Sequence, residues 1–274
     1  MNNNYITSKL YGRLGNNMFQ IAHAYAKAKK YNKSVVFPIN EGANNTARKY
    51  QDNIFRKLNF YIEHATDNNA QIVAEDNHIY AEYPYIENAI TAYDGYFQSE
   101  KYFMNAKEEV IDLFSPPTEF IQKATSIYPY INFDETLYIQ VRRGDYLAIR
   151  NILPVITKEY IQYSIEHIPE YKHIIVTSDD IEWCKQHIQA NNITYINLQE
   201  HECLWLGSLC KYFIISNSTF GWWAAYLSKN KNKQVYAPYP WFGPGTTASD
   251  INIIPTEWNK VSCYIHDGYL YPNK

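Results

Sequence analysis

Leu137-Tyr138-Ile139-Gln140-Val141-Arg142-Arg143-Gly144-Asp145-Tyr146 is the stretch on which the reading of this chain turns. A short apolar run has the pattern of a buried strand, and it delivers two adjacent arginines, a glycine turn and a carboxylate at its end. In an open α/β sheet, ligands bind outside the carboxyl ends of the strands. The planar guanidinium fork donates two parallel, charge-assisted hydrogen bonds to a phosphate or a carboxylate. Arginines placed at such an end must meet an anion. On this stretch alone two readings are open, a pair of salt bridges within the protein or a phosphate of a ligand.

Downstream the pattern alternates. A strand at 137–141 is followed by helix 157–168, strand 173–177, helix 180–189, strand 194–198, helix 203–210, strand 212–216, helix 219–227 and strand 234–237. Short apolar strands alternating with amphipathic helices predict a parallel sheet covered on both faces. Upstream, a strand at 5–10 leads through Gly12-Arg13-Leu14-Gly15-Asn16 into a helix from about 17 to 30. Met18, Ile21, Ala22, Tyr25 and Ala28 fall there at helical spacing. A strand at 34–38, a less regular stretch from 42 to 86, a strand at 92–97, a helix start at 99–104 and helices at 108–114 and 118–127 complete the first half. The expected boundary lies after residue 131, giving domains 1–131 and 132–274.

Three further loops follow predicted strands. Ser216-Asn217-Ser218-Thr219-Phe220 opens a helix, where free backbone N–H groups, two hydroxyls and the positive dipole end make an anion site; N-capping by Asn217 or Ser218 explains the same residues. Asp179, spaced from Glu182 as in a capping box, can cap a helix or contact a ribose or base. Gly12-Arg13-Leu14-Gly15-Asn16 has two of the three glycines of a dinucleotide loop and suits close backbone approach to a ligand, with Arg13 and Asn16 as polar contacts.

Composition narrows the classes. The 274 residues are 46% hydrophobic and 19% charged, with net charge -3 and pI about 6.2. That is a globular chain with no bulk positive field for nucleic acid. No window reaches the roughly 18 apolar residues of a membrane span, and the start Met1-Asn2-Asn3-Asn4 carries no signal-peptide pattern. A cytoplasmic protein is expected. The four cysteines lack metal spacing and read as buried free thiols. The eight histidines, His23 and His64 among them, are scattered and read as structural or surface groups. The sequence has no Asp-X-Asp pair, no phosphate-binding P-loop and no G-x-S-x-G elbow. Paired arginines can supply the charge neutralisation that a divalent metal would supply to a diphosphate, so no metal and no cofactor are expected.

Five segments, in order, resemble the α-1,2-fucosyltransferase family and its α-1,6- and protein O-fucosyltransferase cousins. They are Gly12-Arg13-Leu14-Gly15-Asn16-Asn17-Met18-Phe19-Gln20, Gly95-Tyr96-Phe97-Gln98-Ser99-Glu100-Lys101-Tyr102-Phe103, Val141-Arg142-Arg143-Gly144-Asp145-Tyr146, Ser178-Asp179-Asp180-Ile181-Glu182-Trp183-Cys184 and Asn217-Ser218-Thr219-Phe220-Gly221-Trp222-Trp223. The resemblance implies a GT-B-like α/β fold, two Rossmann-like domains facing across a cleft, the first shaping the acceptor side and the second holding GDP-fucose. It implies that Arg142 and Arg143 grip or brace the diphosphate and that Ser218, Thr219 and Phe220 contact the β-phosphate. Asn16 would reach in from the other half, with Arg13 beside it, and Glu202 would read the guanine. Asp179 joins them as a donor contact. Asp145 is the first candidate general base and Glu100 the second. Acceptor contacts would come from 41–49 and 76–88. The family usually carries His two residues before the first arginine; here Gln140 stands there. Gln140 keeps the donor role but leaves a different GDP-sugar open. The implied partners are a GDP-sugar and a glycan acceptor. A non-catalytic glycan-binding module, with the tyrosines and Trp222, Trp223 and Trp241 as stacking platforms, is the alternative from another class.

Overall fold

The computed structural model describes residues 5–39, 46–62 and 70–273. By its internal contacts the chain divides into two units, residues 1–115 with 251–253, and 116–250 with 254–274. The division falls at Ser115/Pro116, ahead of the expected boundary after residue 131. The physical reason lies in the helix Thr118–Ile127, which the sequence assigns to the first domain. Its Phe120 packs on Trp205 of the second unit, ring centroids 5.3 Å apart. Residues 251–253 return to the first unit, where Asn252 Oδ1 accepts the Tyr80 N–H at 3.2 Å.

The first unit contains β1 (Tyr5–Ser8), α1 (Leu14–Tyr31), β2 (Ser34–Val35), β3 (Phe37–Ile39), α2 (Thr46–Tyr50), β4 (Phe60–Ile62), β5 (Ala70–Ala74), β6 (Ile90–Asp94) and α3 (Lys107–Phe114). Its main sheet has the order β2-β1-β6-β5 with parallel pairings. The predicted strand 34–38 is two short strands, β2 in this sheet and β3 paired with β4. Helix α1 begins three residues earlier than its periodicity suggests and is buried on nearly all sides, with Tyr25 only half-buried. His23 on α1 is fully buried against Tyr93, Phe97 and Tyr102. Burial there pushes its pKa well below the ordinary imidazole value, so it is a core group, as expected; His64 lies outside the described residues.

The second unit contains α4 (Thr118–Ile127), β7 (Thr136–Val141), β8 (Val155–Ile156), α5 (Lys158–Glu166), β9 (His173–Ser178), α6 (Ile181–His187), β10 (Ile193–Tyr195), α7 (Glu200–Ser208), β11 (Tyr212–Ile215), α8 (Thr219–Tyr226), β12 (Gln234–Tyr239), β13 (Asn259–His266) and β14 (Tyr269–Pro272). Strand order is β10-β9-β7-β11-β12-β13-β14-β8, parallel except for the β13–β14 hairpin. Every residue of β7 is buried, as a central strand covered on both faces must be. On one face Leu137, Ile139 and Val141 pack with Ile214, Ile161 and Cys184. On the other, the Tyr138 ring lies so close to α7 that a Cβ at Gly207 would approach it to 2.6 Å. Trp222 and Trp223 are fully buried and Trp241 is 2% exposed. They are core, which removes these three tryptophans as sugar platforms. All four cysteines are free and buried. Among the described residues no helix is long and apolar enough to cross a membrane.

Candidate functional site

In the second sheet β9 and β10 continue outward from β7, while β12 continues outward from β11 on the other side. The topological switch point, where open α/β sheets bind ligands, therefore lies between β7 and β11. These are the two strands that lead into the arginine pair and the Asn-Ser-Thr loop. Gln140 and Ile215 are register partners, so the strands end together. Ser216 fastens the ends. Its N–H and Oγ both donate to the Gln140 carbonyl, at 3.0 and 3.1 Å, and its Oγ accepts the Arg142 N–H at 2.8 Å.

Both arginines are held by carboxylates. Arg142 donates through Nη2 to Asp145 at 2.5 Å, and its Nη1 is 3.0 Å from Asp179. Arg143 donates through Nε to Asp180 at 3.1 Å, and its backbone N–H donates to Asp179 at 2.9 Å. The Arg143 guanidinium lies 4.1 Å from the Trp183 ring centre. The salt-bridge reading is thus realised, with a consequence for ligand binding. A guanidinium has five N–H donors, and Arg142 spends one on each of two carboxylates, so its fork is fixed in direction with donors left over. Asp145 is the counter-carboxylate of Arg142. Asp180, not Asp179, caps α6 by accepting the Trp183 N–H at 3.2 Å, while Glu182 pairs with Lys185 at 2.7 Å. Asp179 instead joins the two arginines.

Helix α8 starts at the same sheet edge. Ser218 is its N-cap, its Oγ accepting from the Phe220 N–H at 3.4 Å. Thr219 and Phe220 form the first turn, where the backbone N–H groups and the positive dipole end attract anions. Asn217 does not cap; its Nδ2 donates to the Trp241 carbonyl at 2.9 Å. Gln140 lies under this turn. A Cβ at Gly221 would come within 2.7 Å of its Oε1, which is buried and has no hydrogen-bond partner among the described residues.

The structure thus gathers Gln140, Arg142, Arg143, Asp145, Asp179, Ser218, Thr219 and Phe220 at one switch point. The other predicted contacts lie on other elements. Arg13 and Asn16 belong to the first unit, where β1 and β6 are neighbours at that sheet's own switch point. Arg13 is exposed at the N-cap position of α1, and Asn16 Oδ1 accepts from Gln98 Nε2 at 3.1 Å. Gly12 at φ +81° packs onto the Asn16 amide. Glu100 follows β6 and sits 3.8 Å from Lys107. Of the expected acceptor segments, 41–45 lie outside the described residues. Glu202 completes the capping box of α7, accepting the Gln199 N–H at 3.2 Å, and accepts from Lys123 at 3.2 Å. Glu202→Ala is expected to cost about 1 kcal/mol through the lost cap and to lower the melting midpoint by roughly 2–4 °C, with GDP affinity unchanged. A selective loss of GDP affinity, read by calorimetry, would give it the guanine role that the resemblance implies.

Sequence reasoning missed Ser216 and Tyr146 as organisers, although both stand in the quoted motifs. It also missed Glu75, buried at the end of β5. Glu75 accepts the Tyr96 and Phe97 N–H groups at 2.7 and 2.9 Å and so fixes the loop after β6. Nothing in its local pattern signals that.

Comparison with known proteins identifies the family and the fold. The model of glycosyl transferase family 11 matches residues 2–261. The alpha-1,2-colitosyltransferase of Escherichia coli is 31% identical over 180 residues, 61% of this chain and 61% of that protein. Human galactoside alpha-(1,2)-fucosyltransferase 1 is 25% identical over 169 residues, 54% of this chain and 46% of that protein. The matches thus span less than two-thirds of these relatives. POFUT1 in complex with GDP-fucose shares the fold at a TM-score of 0.53 and 10% identity, over 86% of this chain and 98% of that one. The fold is therefore GT-B, and the chain belongs to glycosyl transferase family 11.

Proposed function

We propose that this protein is an inverting glycosyltransferase that moves L-fucose from GDP-fucose to a sugar hydroxyl, the 2-OH of a galactose, without a metal ion. One observation carries the reading. The Arg142-Arg143 pair and the start of α8 meet at the switch point of the second sheet, tied into one frame by Ser216. Departure of GDP builds negative charge on the β-phosphate while the sugar becomes oxocarbenium-like. Preorganised donors aimed at that phosphate stabilise the transition state more than the ground state. Arg142, Arg143 and the α8 turn are such donors. Asp145 and Asp179 hold Arg142 in direction, so in this reading Asp145 acts through the arginine.

Gln140 favours a second reading, transfer of a related GDP-sugar. An amide at this buried position has no positive charge to offer, and its Oε1 accepts only from a group bearing hydrogen. The Escherichia coli relative is named for colitose, the 3-deoxy form of fucose.

A thermal-shift titration in EDTA with GDP, GDP-fucose, GDP-colitose, GDP-mannose and a UDP-sugar tests both. Ligand at 100 times its Kd adds about 2.7 kcal/mol, a midpoint rise of roughly 5–10 °C. Shifts with GDP and GDP-fucose, and none with the UDP-sugar, are expected. A larger shift with GDP-colitose selects the second reading. No shift with any nucleotide overturns both and returns a glycan-binding role, since such a module ignores GDP.

A further inference from the structure

Tyr146 touches both halves of the anion site. It lies, half-buried, in the 3-10 turn Asp145–Ala148. The Arg142 guanidinium stands over that ring, 5.2 Å from its centre, within the range of a cation–π contact. At the far end of the ring, the hydroxyl donates to the Asn217 carbonyl at 3.3 Å, next in sequence to the α8 N-cap Ser218. Asn217 is itself anchored through its amide to the Trp241 carbonyl, and the backbone N–H of Trp241 donates to Asp250 at 2.9 Å. One flat side chain with two torsions therefore spans from the arginine to the N-cap of α8.

We propose that Tyr146 is a positioning residue of the donor site, a rigid spacer that sets the separation between Arg142 and the α8 N-terminus so that the distal phosphate of a nucleoside diphosphate meets both. The proposal rests on reading this site as the GDP-sugar site. Burial pushes the phenol up to about 12, with the Arg142 charge acting in the opposite direction, so the hydroxyl remains a donor through neutral pH. A spacer of this kind is specific in its effect. The proximal phosphate and the nucleoside need no fixed distance between guanidinium and helix; the group that contacts both does.

The experiment is calorimetric titration of the full chain with GDP and with GMP, for wild type, Tyr146→Phe and Tyr146→Leu, with melting midpoints measured alongside. Tyr146→Leu removes the ring beneath Arg142 and the hydroxyl together. Its GDP affinity is expected to fall about tenfold or more, with GMP affinity within twofold of wild type. Tyr146→Phe keeps the ring and loses the hydroxyl's bond to the Asn217 carbonyl, and an intermediate loss of about threefold is expected for GDP alone. Equal losses for GDP and GMP that track the melting midpoint would mean a merely structural side chain and overturn the proposal. So would a Tyr146→Phe GDP-to-GMP ratio equal to wild type, which decides the matter should the leucine variant fail to fold. Wild-type protein that binds neither nucleotide would instead overturn the donor-site reading itself, and the spacer with it.

Discussion

Replacing Arg142 with alanine is expected to cut transfer from GDP-fucose a hundred- to a thousandfold, while the chain stays folded. The loss has two sources. The guanidinium disappears from the point where charge grows on the leaving phosphate, and removing one preorganised donor of this sort typically costs roughly 3–4 kcal/mol of barrier. In addition, Asp145 and Asp179 lose the cation between them, with contacts of 2.5 and 3.0 Å. Their negative charge then faces an incoming diphosphate. Some stability should be lost as well, because the Arg142 side chain is only 13% exposed and its pairs with Asp145 and Asp179 are partly shielded from water, and the melting midpoint reads that loss apart from the rate. Arg142→Lys restores a charge without the planar fork and cannot satisfy two carboxylates and a phosphate in one plane, so an intermediate rate is expected. Steady-state kcat/KM with a galactoside acceptor, alongside the melting midpoint, checks the pair. A folded alanine variant with turnover close to wild type would remove Arg142 from the mechanism.

The strands of the second sheet were legible because parallel strands leave a simple mark. β7 is apolar on both faces since both faces are covered, and β9, β11 and β12 repeat that mark at spacings a crossover helix fills. The site was legible for the same reason: its residues lie in loops directly after those strands. What the sequence concealed depends on pairing between distant segments. The edge strand β8 exists only because Val155 and Ile156 pair with Tyr269 and Leu270, more than a hundred positions away. The hairpin β13–β14 did leave a signal. Val261, Cys263 and Ile265 alternate with polar or outward residues, and Asp267-Gly268, both with positive φ, is a primed-turn pair. Local spacing also misled. Asp179 and Glu182 stand at capping-box distance, yet the cap is Asp180, because Asp179 is drawn to the Arg143 N–H and the Arg142 guanidinium. A sequence shows which residues can cap; it does not show which one a neighbouring cation takes away. Glu202 stands at a plausible base-reading position, and its carboxylate is engaged at the α7 N-terminus.

Gly144→Ala is expected to weaken GDP binding at least tenfold although it adds only one methyl group. A Cβ at Gly144 would stand 2.4 Å from Asp179 Oδ2 and 3.0 Å from its Cγ. Contacts below 3 Å relax cheaply when the neighbour is the free end of a long side chain. Asp179 is short and pinned at both oxygens, Oδ1 by the Arg143 N–H at 2.9 Å and Oδ2 by Arg142 Nη1 at 3.0 Å. The methyl must therefore push the carboxylate off at least one partner, and a hydrogen bond to a charged group contributes about 1.5–3 kcal/mol. Arg142 would keep Asp145 alone and turn toward it, so its remaining donors would point away from the α8 turn. A double-mutant cycle separates this route from general damage to the loop. If Gly144 acts through Asp179, then adding Gly144→Ala to an Asp179→Ala chain should cost little more GDP affinity, a coupling of about 1 kcal/mol or above. Strictly additive losses would mean that the methyl harms the turn by itself. The glycine between the arginines and Asp145 would then serve the chain's path, and Asp179 would owe it nothing.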